Sequence, residues 1–147
     1  MPIRISGPPA GIRGARVDLP RLRRRGRQIL SALRQGRSEL SIALIDDAEM
    51  KALNRTWRGR DRSTDVLSFS MLEGEGGVHR GVLLGDVVIS VETAAAQAAA
   101  RHRSLDDEVL RLLLHGVLHV LGHDHEDEAD AREMERERRR VWKCLDT

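Results

Sequence analysis

The histidines of this chain are gathered where they could hold a metal ion. Four of the six fall within eleven residues, HGVLHVLGHDH, from His115 to His125. On an α-helix, residues four apart are offset by about 40° and ~6 Å along the axis, so His115 and His119 share one face and can reach a single ion. Gly122 suits the left-handed turn that ends a helix, after which the chain can fold back and carry His125 to the same ion. A lone histidine in an apolar helix is ordinarily a hydrogen-bonded core residue. The i, i+4 pair, the glycine and the third histidine together point instead to a metal. Three imidazoles plus water make an open, catalytic-type zinc site with one ion per chain, and imidazole also suits nickel. His123 lies on the same loop and competes for the third position, although the spacing favours His125.

The spacing H-x3-H-x2-G-x2-H also occurs in metzincin peptidases, where the residue after the first histidine is a glutamate acting as general base. Here that residue is Gly116, which moves no proton, and the chain has no other HExxH. A peptidase therefore lacks its main catalytic group. Charge points elsewhere. Residues 1–62 carry 15 basic and 6 acidic side chains, while residues 63–147 carry 10 and 17. One positive face would suit a polyanion. Lys51 and Lys143 are the only lysines, so the cationic groups are nearly all guanidinium, which favours bidentate phosphate contacts. With Phe69, Trp57, Trp142 and no tyrosine, a multi-aromatic stacking sheet is excluded. Any nucleic acid must be gripped mainly through its backbone, or by arginine planes.

Several elements must position these groups. Asp18 to about Leu33 has an apolar helical stripe on a basic segment, whose run Arg21–Arg27 is a candidate attachment surface for RNA or a ribosome. Glu39–Ile45 alternates as a strand, and Asp46 with Glu49 marks a helix start leading to Trp57. Arg58–Ser63 is an arginine-rich loop in which Arg58 and Arg60 could clamp a phosphate. Thr64 and Asp65 shape the start of the strand Val66–Met71, and Gly74–Gly81 is a connector. Leu83–Val91 is a third strand, holding Asp86, which could orient a ligand histidine or serve a turn or cap. An alanine-rich helix from Val91 to about Arg101 permits close packing. Ser104 caps the next helix, with Asp106, Asp107 and Glu108 in its first turn; apolar nearly all round to Leu121, it should be the buried central helix. Asp127–Leu145 is a charged final helix whose run Glu133–Arg140 reads as an ion-paired, solvated face.

With 147 residues the chain fits one α+β domain, residues 1–147, of about five helices, with residues 1–15 as a loose or edge-strand leader. No stretch has the ~20 apolar residues of a membrane span and no signal peptide is visible, so the cytoplasm is expected. Cys144 is the sole cysteine, which excludes an intramolecular disulfide. It is also the one thiol that could close the metal site as a fourth ligand, making the metal structural, but a buried or inert thiol is the simpler expectation.

HGVLHVLGHDH resembles the HGxLHLxGYDH signature of the YbeY family of bacterial endoribonucleases, with His123 where tyrosine is usual. LNRTWRGRDRSTDVLSFS (Leu53–Ser70) and LLGDVVIS (Leu83–Ser90) are similar to that family too, so that the resemblance covers about Glu39–Asp127. It implies a small central mixed sheet beneath helices, with the metal on the central helix and the loop after it. It also implies zinc on His115, His119 and His125, and a catalytic arginine at Arg58. The implied activity is cleavage of single-stranded RNA, not DNA, in maturation of the 3′ end of small-subunit rRNA and in ribosome quality control. The implied partners are the ribosome or its proteins. Asp124 and His123 are candidate helpers for proton movement, though bound hydroxide could suffice. The rival expectation is a non-catalytic ribosome- or RNA-binding protein with a structural metal.

Overall fold

The computed structural model describes residues 3–12, 16–71, 83–123 and 127–145. In chain order the elements are β1 (Ile3–Ser6), α1 (Leu19–Ala32), β2 (Glu39–Ile45), α2 (Asp47–Arg58), β3 (Val66–Ser70), β4 (Leu83–Ser90), α3 (Val91–Ala100), α4 (Leu105–Val120) and α5 (Glu128–Cys144). The connector expected over Gly74–Gly81 lies outside the described residues. The leader supplies an edge strand, since β1 pairs parallel with β2.

The four strands form one mixed sheet in the order β1-β2-β4-β3, with β2 and β4 parallel and β3 antiparallel to β4. This is the α+β architecture expected. Its faces are unequal because strand side chains alternate. Ile42 and Val87 face the main core, where α4 lies, while Ala43 and Val88 face a small cluster completed by Met50 of α2. The helix α4 contacts β3, β4, α1, α3 and α5, so it is the buried central helix. Ala94 and Ala98 of α3 are buried, as close helix packing requires.

The helix starts are fixed by short polar caps. Asp18, Asp46, Ser90, Ser104 and Asp127 each accept the backbone N–H three residues on, which relieves donors that no helical carbonyl can satisfy. The end of α4 is set by Gly122, whose φ of +96° favours glycine and turns the chain away.

Two expectations about arginines change. Arg58 is the last residue of α2 instead of a loop residue, because the left-handed Gly59 (φ +70°) closes the helix one position later than Trp57. The basic run Arg21–Arg27 is only partly open as an attachment surface, with Arg24 and Arg27 exposed. Arg25 is buried against Asp107 at 3.3 Å, and Arg23 donates to the Ile3 carbonyl at 2.6 Å, so both hold α1 in place.

Candidate active site

A cavity of about 690 Å³ lies between β3 and the last turns of α4, lined by Arg58, Asp65, all five residues of β3, His115, His119 and His123. As the outer strand of the sheet, β3 has one edge that β4 does not pair. Its inner-face hydroxyls tie it to the helix: Ser68 donates to the Gly116 carbonyl and Ser70 to the Val120 carbonyl, both at 3.0 Å. Gly116 makes this approach possible. A Cβ there would lie 2.6 Å from Val87 Cγ1 and 3.1 Å from Ser68 Oγ. The position that carries glutamate in the peptidase pattern therefore faces the sheet with no room for a side chain, and the geometry agrees with setting the peptidase aside.

On the cavity side of α4, the Nε2 atoms of His115 and His119 are 3.0 Å apart, with ring centroids at 4.5 Å and planes at 68°. Two ligands each about 2.0–2.1 Å from one zinc ion stand at about this separation, so the pair fits a shared cation. His125 and Asp124 lie outside the described residues, and among the described residues no group of three His, Cys, Asp or Glu side chains surrounds one point.

Arg58 reaches the same cavity from α2. Its guanidinium donates to the Ser68 carbonyl at 2.7 Å and stands 5.3 Å over the Phe69 ring, which also meets the Trp57 indole edge-on at 6.2 Å. A hydrogen bond and a cation–π contact thus hold its fork in place. Arg60 does not line the histidine cavity. With Arg62, it lines an adjoining one of about 440 Å³ that shares Arg58 and Leu67.

Asp65 shapes the start of β3 as expected, accepting the Val66 N–H at 2.8 Å and Gln97 Nε2 at 3.2 Å. Next to it, Asp47 joins α2 to the end of β4. Burial pushes its carboxyl up, but bonds from the Ser90, Thr93 and Ser63 hydroxyls together outweigh this and hold it below its ordinary value.

Asp86 does neither job considered for it. It sits within β4, not at a turn or cap, and it shares a face with Val88 and Phe69, away from the side where Val87 meets Gly116. Cys144 is exposed, not buried, and its thiol donates to the Arg140 carbonyl of its own helix at 3.4 Å. Sequence reasoning missed Glu108, which looked like a first-turn acid and is instead fully buried among arginines. The only hint was Arg111 three residues on.

The family profile of Endoribonuclease YbeY matches residues 15–146. Proteins named Endoribonuclease YbeY from Anaeromyxobacter sp. (strain Fw109-5) and Geobacter metallireducens are 49% and 43% identical over 137 and 132 residues. The matches cover 92% and 88% of this chain, and 68% and 88% of those proteins. One from Anaeromyxobacter dehalogenans is 50% identical over 126 residues, covering 86% of this chain and 62% of its own length. A solution structure from Thermotoga maritima is similar with a TM-score of 0.59 at 26% identity, covering 96% of this chain and 89% of that one.

Proposed function

The chain belongs to the YbeY endoribonuclease family, and on that premise we propose that it is a zinc-dependent, single-strand-specific endoribonuclease of small-subunit rRNA maturation. As an endoribonuclease it breaks internal phosphodiester bonds of RNA. The proposal places it in the cytoplasm, with the ribosome or ribosomal proteins as partners. The observation that carries the site is the convergence of His115 and His119 Nε2 in the cavity that Arg58 also enters. His115, His119 and His125 would hold the ion, zinc by preference and nickel as a possible substitute. When bound, the ion supplies charge neutralisation at a phosphoryl oxygen and a water that ionises near neutral pH.

The chain's own residues do the positioning. Arg58 spends one N–H donor on the Ser68 carbonyl, and the other donors of its fork are available to a phosphate oxygen. Because that guanidinium is held before substrate arrives, it stabilises developing phosphoryl charge with little reorganisation. Ser68 and Ser70 keep β3 at a set distance from α4, so the histidine wall and the arginine wall face each other across a fixed gap. Arg60 and Arg62 continue the positive surface into the adjoining cavity, where the next backbone phosphate can lie.

The test joins elemental analysis to RNA cleavage. Wild-type protein should carry about one zinc per chain and cut single-stranded RNA but not the same sequence in duplex. His119→Ala should lose the metal and the cleavage together. Full cleavage after complete chelation would overturn the metal mechanism, and equal cutting of duplex would overturn the strand preference.

A further inference from the structure

A second cavity of about 480 Å³ opens beside the first turns of α4, walled by Arg101, Arg103, Asp107, Arg111, Arg138 and Trp142. Its arginines are organised around one buried acid. The Glu108 carboxylate receives Arg111 at 2.6 and 3.1 Å and Arg101 at 3.3 Å, while Arg103 lies 3.6 Å from its other oxygen. One carboxylate thus gathers three guanidinium groups and cancels one of their charges. Glu108 is fully buried, whereas the side chains of Arg101 and Arg103 are 48% and 45% exposed. Their outer N–H donors are therefore presented to solvent from a fixed base.

The neighbouring acids are engaged elsewhere. Asp107 faces the buried Arg25 at 3.3 Å, and Glu135 is held by both Arg138 and Arg139. The wall keeps an excess of positive charge. Beside it, Trp142 packs partly against the core and also borders the cavity. Forked donors next to an aromatic ring suit a single nucleic-acid strand, whose phosphates and bases need those two contacts. Arg111 precedes His115 by one helical turn, so this cavity and the catalytic one are carried by the same helix.

We propose that this cavity is a second binding site for single-stranded RNA, taking a backbone phosphate on Arg101, Arg103 and Arg111 and a base against Trp142. The choice of RNA over other polyanions rests on the endoribonuclease reading; the anion-binding wall does not. An acidic protein segment would meet the same arginines but would make less use of the indole.

Trp57 and Trp142 are the only tryptophans, so Trp57→Phe leaves Trp142 as the sole indole reporter. In that background, with His119→Ala to prevent cleavage, titration with oligoadenylate should quench Trp142 fluorescence. Arg101→Gln/Arg103→Gln should shift the quench to higher oligoadenylate concentration and reduce the slope of log affinity against log salt by about 1.4, or ~0.7 per lost contact. Arg101→Lys/Arg103→Lys, which keeps the charge, should retain the slope. If the double glutamine variant melts early, Arg103→Gln alone carries the test with a slope change of ~0.7. No quench, or an unchanged slope, overturns the site. Polyglutamate quenching as strongly as oligoadenylate overturns RNA as the occupant. Loss of RNA cleavage by the zinc-loaded wild type, with the Trp142 response intact, would end the proposed catalytic function and leave this site standing.

Discussion

The two halves of α4 handle buried polarity in opposite ways. The first half sinks a carboxylate, Glu108, and surrounds it with guanidinium groups from Arg101, Arg103 and Arg111. The second half places two half-buried imidazoles, His115 and His119, with Nε2 atoms 3.0 Å apart, beside a glycine that brings the helix onto the sheet. A buried carboxylate is costly unless its counter-charges are permanent, and arginine stays charged at every working pH. Imidazole can shed its proton near neutrality and then present a lone pair to a cation. The first half is therefore built for a fixed field and the second for exchangeable ligation, although one continuous helix carries both.

The largest expected effect breaks the first half. Glu108→Ala would leave three guanidinium groups together without their shared acceptor. Breaking a buried pair costs 3–5 kcal/mol, and the partial exposure of these arginines puts the loss here at about 3 kcal/mol, read from denaturant midpoints. Metal binding at His115 and His119 should survive in the folded fraction. A neutral Glu108→Ala would erase the contrast between the halves. The cavity that the second half lines is probed by Arg58→Ala, which should slow RNA cleavage by about 100-fold while leaving metal content unchanged and costing at most about 1 kcal/mol of stability. Arg58→Lys should not restore the rate, because an ammonium cannot donate to the Ser68 carbonyl and to a phosphate with the same planar fork.

Local signals and tertiary pairing divide what was legible in the sequence. The helix starts at Asp46 and Ser104, the span of the final helix from about Asp127, the alternation of β2 and the apolar sweep of α4 are short-range features, and the structure places them as read. The shared face of His115 and His119 follows from helical geometry in the same way. Asp86 could not be assigned to a face, because that depends on its pairing with Ser41 and Phe69 and on the irregular register near Leu83–Gly85. Arg25 and Glu108 look like solvated charges in a linear reading. Their burial arises only when α4 brings Asp107 to Arg25 and the loop before α4 turns Arg101 and Arg103 back onto Glu108. The Glu133–Arg140 run was legible because its pairs are three or four residues apart: Glu135 with Arg138 and Arg139, and Glu137 with Arg140.

Gly116→Ala sharpens the view of the catalytic half with a smaller effect. Helix propensity favours alanine by ~1 kcal/mol, but the new Cβ meets Val87 Cγ1 at 2.6 Å, and overpacking of this kind costs about 1–3 kcal/mol. A net loss of about 1 kcal/mol is expected. Cleavage should fall by more than stability alone explains, since α4 must move away from β3 and widen the gap between histidines and Arg58. Unchanged stability and rate would mean that the close approach does not set the cavity.

The smallest effect contrasts the buried carboxylate with an exposed one. Bonds from Arg138, then Arg139, hold Glu135 down at about 2, against an ordinary 4.5. A carboxyl lowered by folding stabilises the native state fully above its unfolded value, and that contribution fades as pH falls from about 4.5 toward 2. Glu135 is 43% exposed, so solvent screening reduces its share to roughly 0.5 kcal/mol. Glu135→Gln should lower stability by that amount at pH 7, with the difference from wild type vanishing near pH 2. Molar salt, where the screening length is about 3 Å, should shrink the same difference. The Glu108→Ala loss should change little with salt, because its carboxylate lies out of water's reach. Equal salt sensitivity of the two would mean that solvent reaches Glu108 and that the first half of α4 is not the fixed ionic base on which the arginine cavity depends.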